Sequence, residues 1–219
     1  MHALAPHPSY RLIPSRFPPI GLFDTVTRAA DLEPVMELAG WTNDRLVVER
    51  LSRLPRSEWV FGRANSSVVM AAFLHAAPEG GRFSGPDLGA WYAADSIETG
   101  IAEVAHHMRR EAYARGVPAV ERQFRVYMAR LEGRFIDLCG SIDPALGDSE
   151  RYGASQLFGE TARARGEDGI LYPSLRFAGG LNACAYRPSK VLEVTQAQHL
   201  AIAARTDDPR ISVEVLGQN

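Results

Sequence analysis

Cysteine is nearly absent: Cys139 and Cys184 are the only two in 219 residues, and neither lies in a Cys-x-x-Cys pair or beside a histidine cluster. That spacing argues against a structural zinc site, so both are read as small buried apolar residues and no metal is expected. A surplus of either charge is missing too. With 24 Lys and Arg against 26 Asp and Glu, the formal net charge is −2, which argues against a general nucleic-acid or membrane-surface binder and leaves room only for a local basic site. Long apolar runs are absent: the longest, VVMAAFL at 68–74, falls far short of the roughly 18 residues a membrane span requires. The opening MHALAPHPSYRLIPSRFPPI lacks an uninterrupted apolar core and is broken by prolines, so no signal peptide is expected and the chain is read as cytoplasmic. No internal repeat or low-complexity tract is visible.

What remains is a composition, 46% hydrophobic and 23% charged, suited to one globular domain with at most an appended subdomain. Residues 24–55 show helical spacing through Leu32, Val35, Met36 and Leu38, then Leu46, Val47, Leu51 and Leu54, with Gly40 and Thr42-Asn43-Asp44 as the break between two helices. This predicts a helical N-terminal extension over 1–57 and a main domain over 58–219. From residue 58 the texture changes. SEWVFG, SSVVMAAFL and GAWYAA read as strands or one short helix, and DSIETGIAEVAHHMRREAYARG reads as a helix capped by Asp95 or Ser96 with Ile97, Ile101, Val104 and Met108 on one face. Two strands are expected around Glu132-Gly133, then a helix over SERYGASQLFGETARARG. Strands follow over GILYPSLRF and LNACAYRP, and VLEVTQ and ISVEVLG close the sheet. This order lacks βαβ repetition, so the fold class is α+β with a split or largely antiparallel sheet and flanking helices.

Chemistry concentrates near the 95–114 helix. Glu98, three positions after Asp95, is read as a capping-box carboxylate. Glu103 falls instead on the flank of Thr99 and His107, about 120° from the apolar stripe, so it can face a cleft while the helix stays packed.

The segments GGRFS, a following glycine and WYAADSIETGIAE resemble the signature of the RES domain, named for its arginine, glutamate and serine and found as the toxin of RES–Xre toxin–antitoxin pairs. YRLIP at 10–14, VMAAFLH before the arginine, HHMRR after the glutamate and GILYPSLRFAGGLNACAYRP at 169–188 extend the likeness over most of the chain from about residue 60 to 190. The resemblance implies an ADP-ribosyltransferase-like fold and cleavage of NAD, in some members by phosphorolysis. It assigns Arg82, Tyr92, Glu103 and Ser174 to the site. NAD is then a substrate, phosphate the expected co-substrate, no further cofactor is needed, and the partner is an Xre-type antitoxin.

These residue types suit that chemistry. Cleaving the nicotinamide–ribose bond builds positive charge at the anomeric carbon, which a carboxylate such as Glu103 stabilises. Arg82 offers a planar cationic fork for phosphate, Tyr92 a ring face for the cationic nicotinamide and a hydroxyl. Ser174 offers a donor and acceptor outside any nucleophile elbow. Arg11 and Arg176 are candidates for further phosphate contacts, His106 and His107 for orienting Glu103, and Asn182 for either a ligand hydrogen bond or a turn. Three readings follow: an NAD-degrading toxin, an ADP-ribosyltransferase acting on a protein or nucleic acid, and a nucleotide-binding regulatory module without catalysis. Homo-oligomerisation and the acceptor stay open.

Overall fold

A computed structural model describes residues 1–16, 21, 23–26, 28, 31, 34, 45–140, 142–148 and 151–217. Its strands are β1 (His2–Ala3), β2 (Ser9–Pro14), β3 (Trp91–Ala94), β4 (Ala119–Leu131), β5 (Phe135–Asp137), β6 (Gly169–Pro173), β7 (Leu181–Ala185), β8 (Val191–Arg205) and β9 (Ile211–Val215). The helices are α1 (Arg45–Ser52), α2 (Ser66–Leu74), α3 (Ile97–Ala114) and α4 (Gly153–Ala164). The strands form one sheet in the order β1-β5-β6-β7-β3-β2-β4-β8-β9, antiparallel throughout except for the β5–β6 pair. The α+β, mostly antiparallel expectation therefore holds. At the middle, β2 and β3 touch through a single register pair, Tyr10 with Ala94.

Alternation along the strands sends side chains to two differently covered faces. On one, the apolar helix α2 packs Val69, Met70, Phe73 and Leu74 against Trp91, Ala93, Leu171 and Ala183. The N-terminus of α2 is held by the Asp24 carboxylate, which accepts the amides of Asn65 and Ser67 at 3.1 and 2.7 Å. On the other face there are two separate clusters. Met108 of α3 lies with Phe124, Val126, Leu200 and Ile202, and Ala162 of α4 lies with Phe83, Ile170, Tyr172, Cys184 and Tyr186.

Several sequence expectations change. Residues 1–57 are not helical throughout, because the alternating SYRLIP is strand β2, paired on both sides within the sheet. The described helix there is α1, while Leu32, Val35, Met36, Leu38, Gly40 and Thr42-Asn43-Asp44 lie outside the described residues. SEWVFG begins within a 3-10 turn, Arg56–Glu58, because Glu58 turns inward to meet Arg187 Nε at 3.0 Å and Ser189 Oγ at 2.5 Å. The VLEVTQ strand runs on to Arg205, with Leu200, Ile202 and Ala204 buried under α3. Glu98 is not the capping-box partner. Ser96 is the N-cap, so its third position is Thr99, whose amide and hydroxyl both meet Ser96 Oγ (3.1 and 2.8 Å), while Glu98 is exposed. Cys184 is buried as expected, but Cys139 is exposed. Among the described residues, no helix is long and apolar enough to cross a membrane and no cluster of metal-ligating side chains occurs.

Candidate functional site

Thr99, Glu103 and His107 follow one another at helical spacing along the flank of α3 that faces β7 and the loop after β6. Thr99 is fully buried, its hydroxyl donating to Asp95 Oδ1 at 2.8 Å. Gly180 is a glycine because a side chain there would collide with the Thr99 hydroxyl. One turn on, the Glu103 Oε1 atom accepts two hydrogen bonds, from Ser174 Oγ at 2.7 Å and from Asn182 Nδ2 at 2.8 Å.

Ser174 is itself fixed. Its amide donates to the Gly180 carbonyl at 2.8 Å, and its Oγ accepts the amides of Arg176 and Phe177, both at 3.1 Å. The hydroxyl proton goes to Glu103 and the oxygen is occupied by two amides. Asn182, 5% exposed in β7, lies between β3 and β6, so its amide group is carried by the centre of the sheet. Glu103 and several arginines act on the same neighbouring groups. Crowding strips water from the His107 ring and holds its pKa below the ordinary value, Arg110, Arg176 and Arg82 adding to the effect and Glu103 opposing it. Burial raises the Tyr172 phenol well above its usual range, the Cys184 thiol and Glu103 adding to it while Arg82 opposes. Glu103, Arg82 and Arg176 thus share one electrostatic neighbourhood. His106 sits beside it, with its ring 5.6 Å from that of His107, edge to face.

Arg82 is presented by a tight turn in which the Gly81 amide donates to the Ser84 carbonyl at 2.8 Å. The Tyr92 hydroxyl plugs this turn, accepting the Phe83 amide and meeting Ser84 Oγ, both at 2.9 Å. Any side chain at Gly81 would strike the Tyr92 ring. The Arg82 guanidinium stands 5.0 Å from the centre of the Tyr152 ring, and Nη1 donates to the carbonyls of Leu146 and Asp148 at 3.3 Å. Arg11 meets different groups from Glu103: its Nη1 donates to the Tyr92 carbonyl at 3.0 Å, and its guanidinium stands 5.0 Å over Trp91. Burial pushes it down to about 10, so it stays charged at neutral pH. Among the described residues it has no carboxylate partner.

Sequence reasoning left two parts of this arrangement unassigned. Asn182 as a partner of Glu103 needs two segments far apart in sequence to meet. The bracing by α4 was open to detection, because Gln156, Glu160 and Arg163 recur at helical spacing as a polar stripe. Gln156 donates to the carbonyls of Glu79 and Gly81 (2.7 and 3.0 Å), Glu160 accepts the Gly85 amide at 2.8 Å, and Arg163 donates to those of Leu88 and Gly89 (3.0 and 2.7 Å). The whole arginine turn is bolted to α4.

The RES domain family model matches residues 50–205. An uncharacterised protein of Sinorhizobium fredii, y4oC, is 31% identical over 175 residues, covering 74% of this chain and 68% of that protein. In the crystal structure of the M. tuberculosis MbcT-MbcA toxin-antitoxin complex, one chain aligns with a TM-score of 0.49 and 14% identity, over 91% of this chain and 86% of that one.

Proposed function

Because the chain belongs to the RES-domain family over residues 50–205, we propose that it is an NAD-degrading toxin of a toxin–antitoxin pair that cleaves the nicotinamide–ribose bond with phosphate as acceptor. The observation that carries this reading is the Glu103 carboxylate: Oε1 is pinned by Ser174 and Asn182, and it acts on the His107 ring together with Arg110, Arg176 and Arg82. As the C–N bond breaks, the ribose ring takes on oxocarbenium character and nicotinamide leaves as a neutral base. A fixed carboxylate stabilises that charge only as it develops. A phosphate oxygen then forms the new bond to the anomeric carbon, giving an ADP-ribose phosphate.

The other residues fit supporting roles. Arg82 spends one nitrogen on loop carbonyls and keeps further N–H groups for a phosphate. Tyr92 commits its hydroxyl to the arginine turn, which holds Arg82 in place for the substrate. Arg176 is within electrostatic reach of the same centre, and Arg11, a buried cation with no carboxylate among the described residues, suits an anionic group entering between β2 and β3. That narrow β2–β3 junction is what supports an ADP-ribosyltransferase-like split sheet. Leu175 and Phe177, 40% and 42% exposed on the loop that carries Ser174, suit coverage by a small helical Xre-type antitoxin.

The test is incubation of pure protein with NAD at increasing phosphate, with products read by mass spectrometry. Phosphate-saturable release of nicotinamide and an ADP-ribose phosphate is expected. Plain ADP-ribose at a phosphate-independent rate overturns phosphorolysis, a labelled protein or nucleic acid makes the chain a transferase, and intact NAD overturns the NAD reading.

A further inference from the structure

A buried amide in the middle of a central strand is costly unless its hydrogen bonds are met. Asn182 sits where its neighbours on β7, Ala183, Cys184 and Ala185, are all fully buried. Its Nδ2 spends a hydrogen bond on one oxygen of a carboxylate carried by another element. We infer that Asn182 is a positioning residue: with Ser174 it ties Glu103 Oε1 to the sheet and leaves Oε2 as the oxygen that meets the substrate. This inference rests on the NAD-cleaving reading for what the carboxylate acts on, but the positioning itself does not.

The geometry gives the reason. Nδ2 can only donate, and so can the Ser174 hydroxyl, whose oxygen is already occupied by two amides. Two donors converging on Oε1 leave no place for a proton there, so the contact is satisfied only by an oxygen that accepts. Among the described residues no hydrogen bond holds Oε2. A carboxylate gripped at one oxygen by two separate segments, the post-β6 loop and β7, also cannot rotate without breaking both bonds.

The discriminating substitution is Asn182→Asp, which keeps the shape and can replace the donor by an acceptor. Two carboxyl groups at this separation share a proton. The other groups facing Glu103 are His107 from α3, Tyr172 from β6, and Arg82 and Arg176 from the loops, and they are unchanged in the variant. Turnover of NAD by Asn182→Asp is expected to stay nearest wild type at low pH, where the shared proton lets the introduced carboxyl donate to Oε1 as the amide does. It should fall by about tenfold or more, equivalent to about 1.4 kcal/mol of lost transition-state stabilisation, as the pH rises and that proton leaves, with the KM for NAD unaltered. Asn182→Ala is expected to lose a similar factor in kcat while keeping the wild-type pH profile. A folded Asn182→Asp protein with the wild-type pH profile overturns the inference, as does wild-type kcat in both variants. Carbon-13 NMR of the side-chain carboxyls reads the contact without turnover: in Asn182→Asp the new aspartate and Glu103 should titrate as a coupled pair in two steps. Independent titration overturns the positioning role even if NAD is cleaved. Coupled titration in a protein whose wild type leaves NAD intact upholds the positioning role and overturns the NAD reading instead.

Discussion

Replacing Glu103 by Gln removes one negative charge and almost nothing else. The variant amide can turn its oxygen toward Ser174 Oγ and Asn182 Nδ2, preserving both bonds to Oε1, and its NH2 group then occupies the Oε2 position. The packing of α3 rests on Ala102, Ala105 and Met108, which are buried, and is untouched. Two unit charges at about 4 Å attract by about 4 kcal/mol at an effective dielectric constant of about 20, and the anomeric carbon carries only part of a charge in the transition state. A loss of about 2.7 kcal/mol, or roughly 10² in turnover, is therefore a conservative expectation. The assay is nicotinamide release under saturating NAD and phosphate, with the KM for NAD determined in parallel and the thermal midpoint as a control for folding. The KM should stay within about twofold, because in the ground state the positive charge resides on the nicotinamide ring and moves onto the ribose only as the bond breaks. Glu98→Gln is the internal control: exposed and outside the cap, it should change neither quantity. A folded Glu103→Gln protein turning over within about threefold of wild type would refute the assignment of transition-state charge to this carboxylate.

Three further outcomes follow from the same contacts. Arg82→Lys keeps the charge but loses the fork and the stacking on Tyr152, so the KM for NAD should rise more than in the exposed control Arg210→Lys, and Arg82→Ala should be worse; steady-state kinetics decide, and unchanged constants for Arg82→Ala remove it from the site. Tyr92→Phe leaves the Phe83 amide without its 2.9 Å acceptor and should destabilise the fold by about 2 kcal/mol in denaturant titration, loosening the arginine turn. The folded-state pKa of His107 is depressed, so as the pH falls below about 6.5 the unfolded chain takes up this proton first and stability drops. The thermal midpoint of wild type should therefore fall further between pH 7 and 5.5 than that of His107→Gln, and parallel curves would contradict the burial of that ring.

The elements that were legible in the sequence are those whose pattern is settled locally. The α3 helix carries its own N-cap, Ser96, and its own apolar face, and β6 and β7 are short apolar runs between turn residues, so their positions followed from the residues alone. Glu58 shows the limit. SEWVFG has the composition of a strand, yet its carboxylate is drawn inward by Arg187 and Ser189 more than a hundred residues later, and the segment turns instead. The length of β8 was hidden for a related reason: QAQH has no apolar alternation of its own, and pairing with β4 carries the strand through it. The cap stays open between Asp95 and Ser96 in the sequence because both are competent; what decides it is that the Asp95 carboxylate accepts the Thr99 hydroxyl, leaving Ser96 to the amide.

At the site, the arginine, glutamate and serine of the signature turn out to have unlike duties. Glu103 and Ser174 touch, whereas Arg82 belongs to a separate turn braced by α4 and by Tyr92. The serine's part is decided by counting its bonds: its one proton is given to Glu103 and its oxygen accepts two backbone amides, so no lone pair is left to attack a substrate. The sequence context, lacking a nucleophile elbow, points the same way. A hydroxyl so fully engaged acts by holding something still, and what it holds is the carboxylate. On the proposed reading the chemistry of this site falls to Glu103, with β7 and the loop after β6 as the rigid frame that aims it.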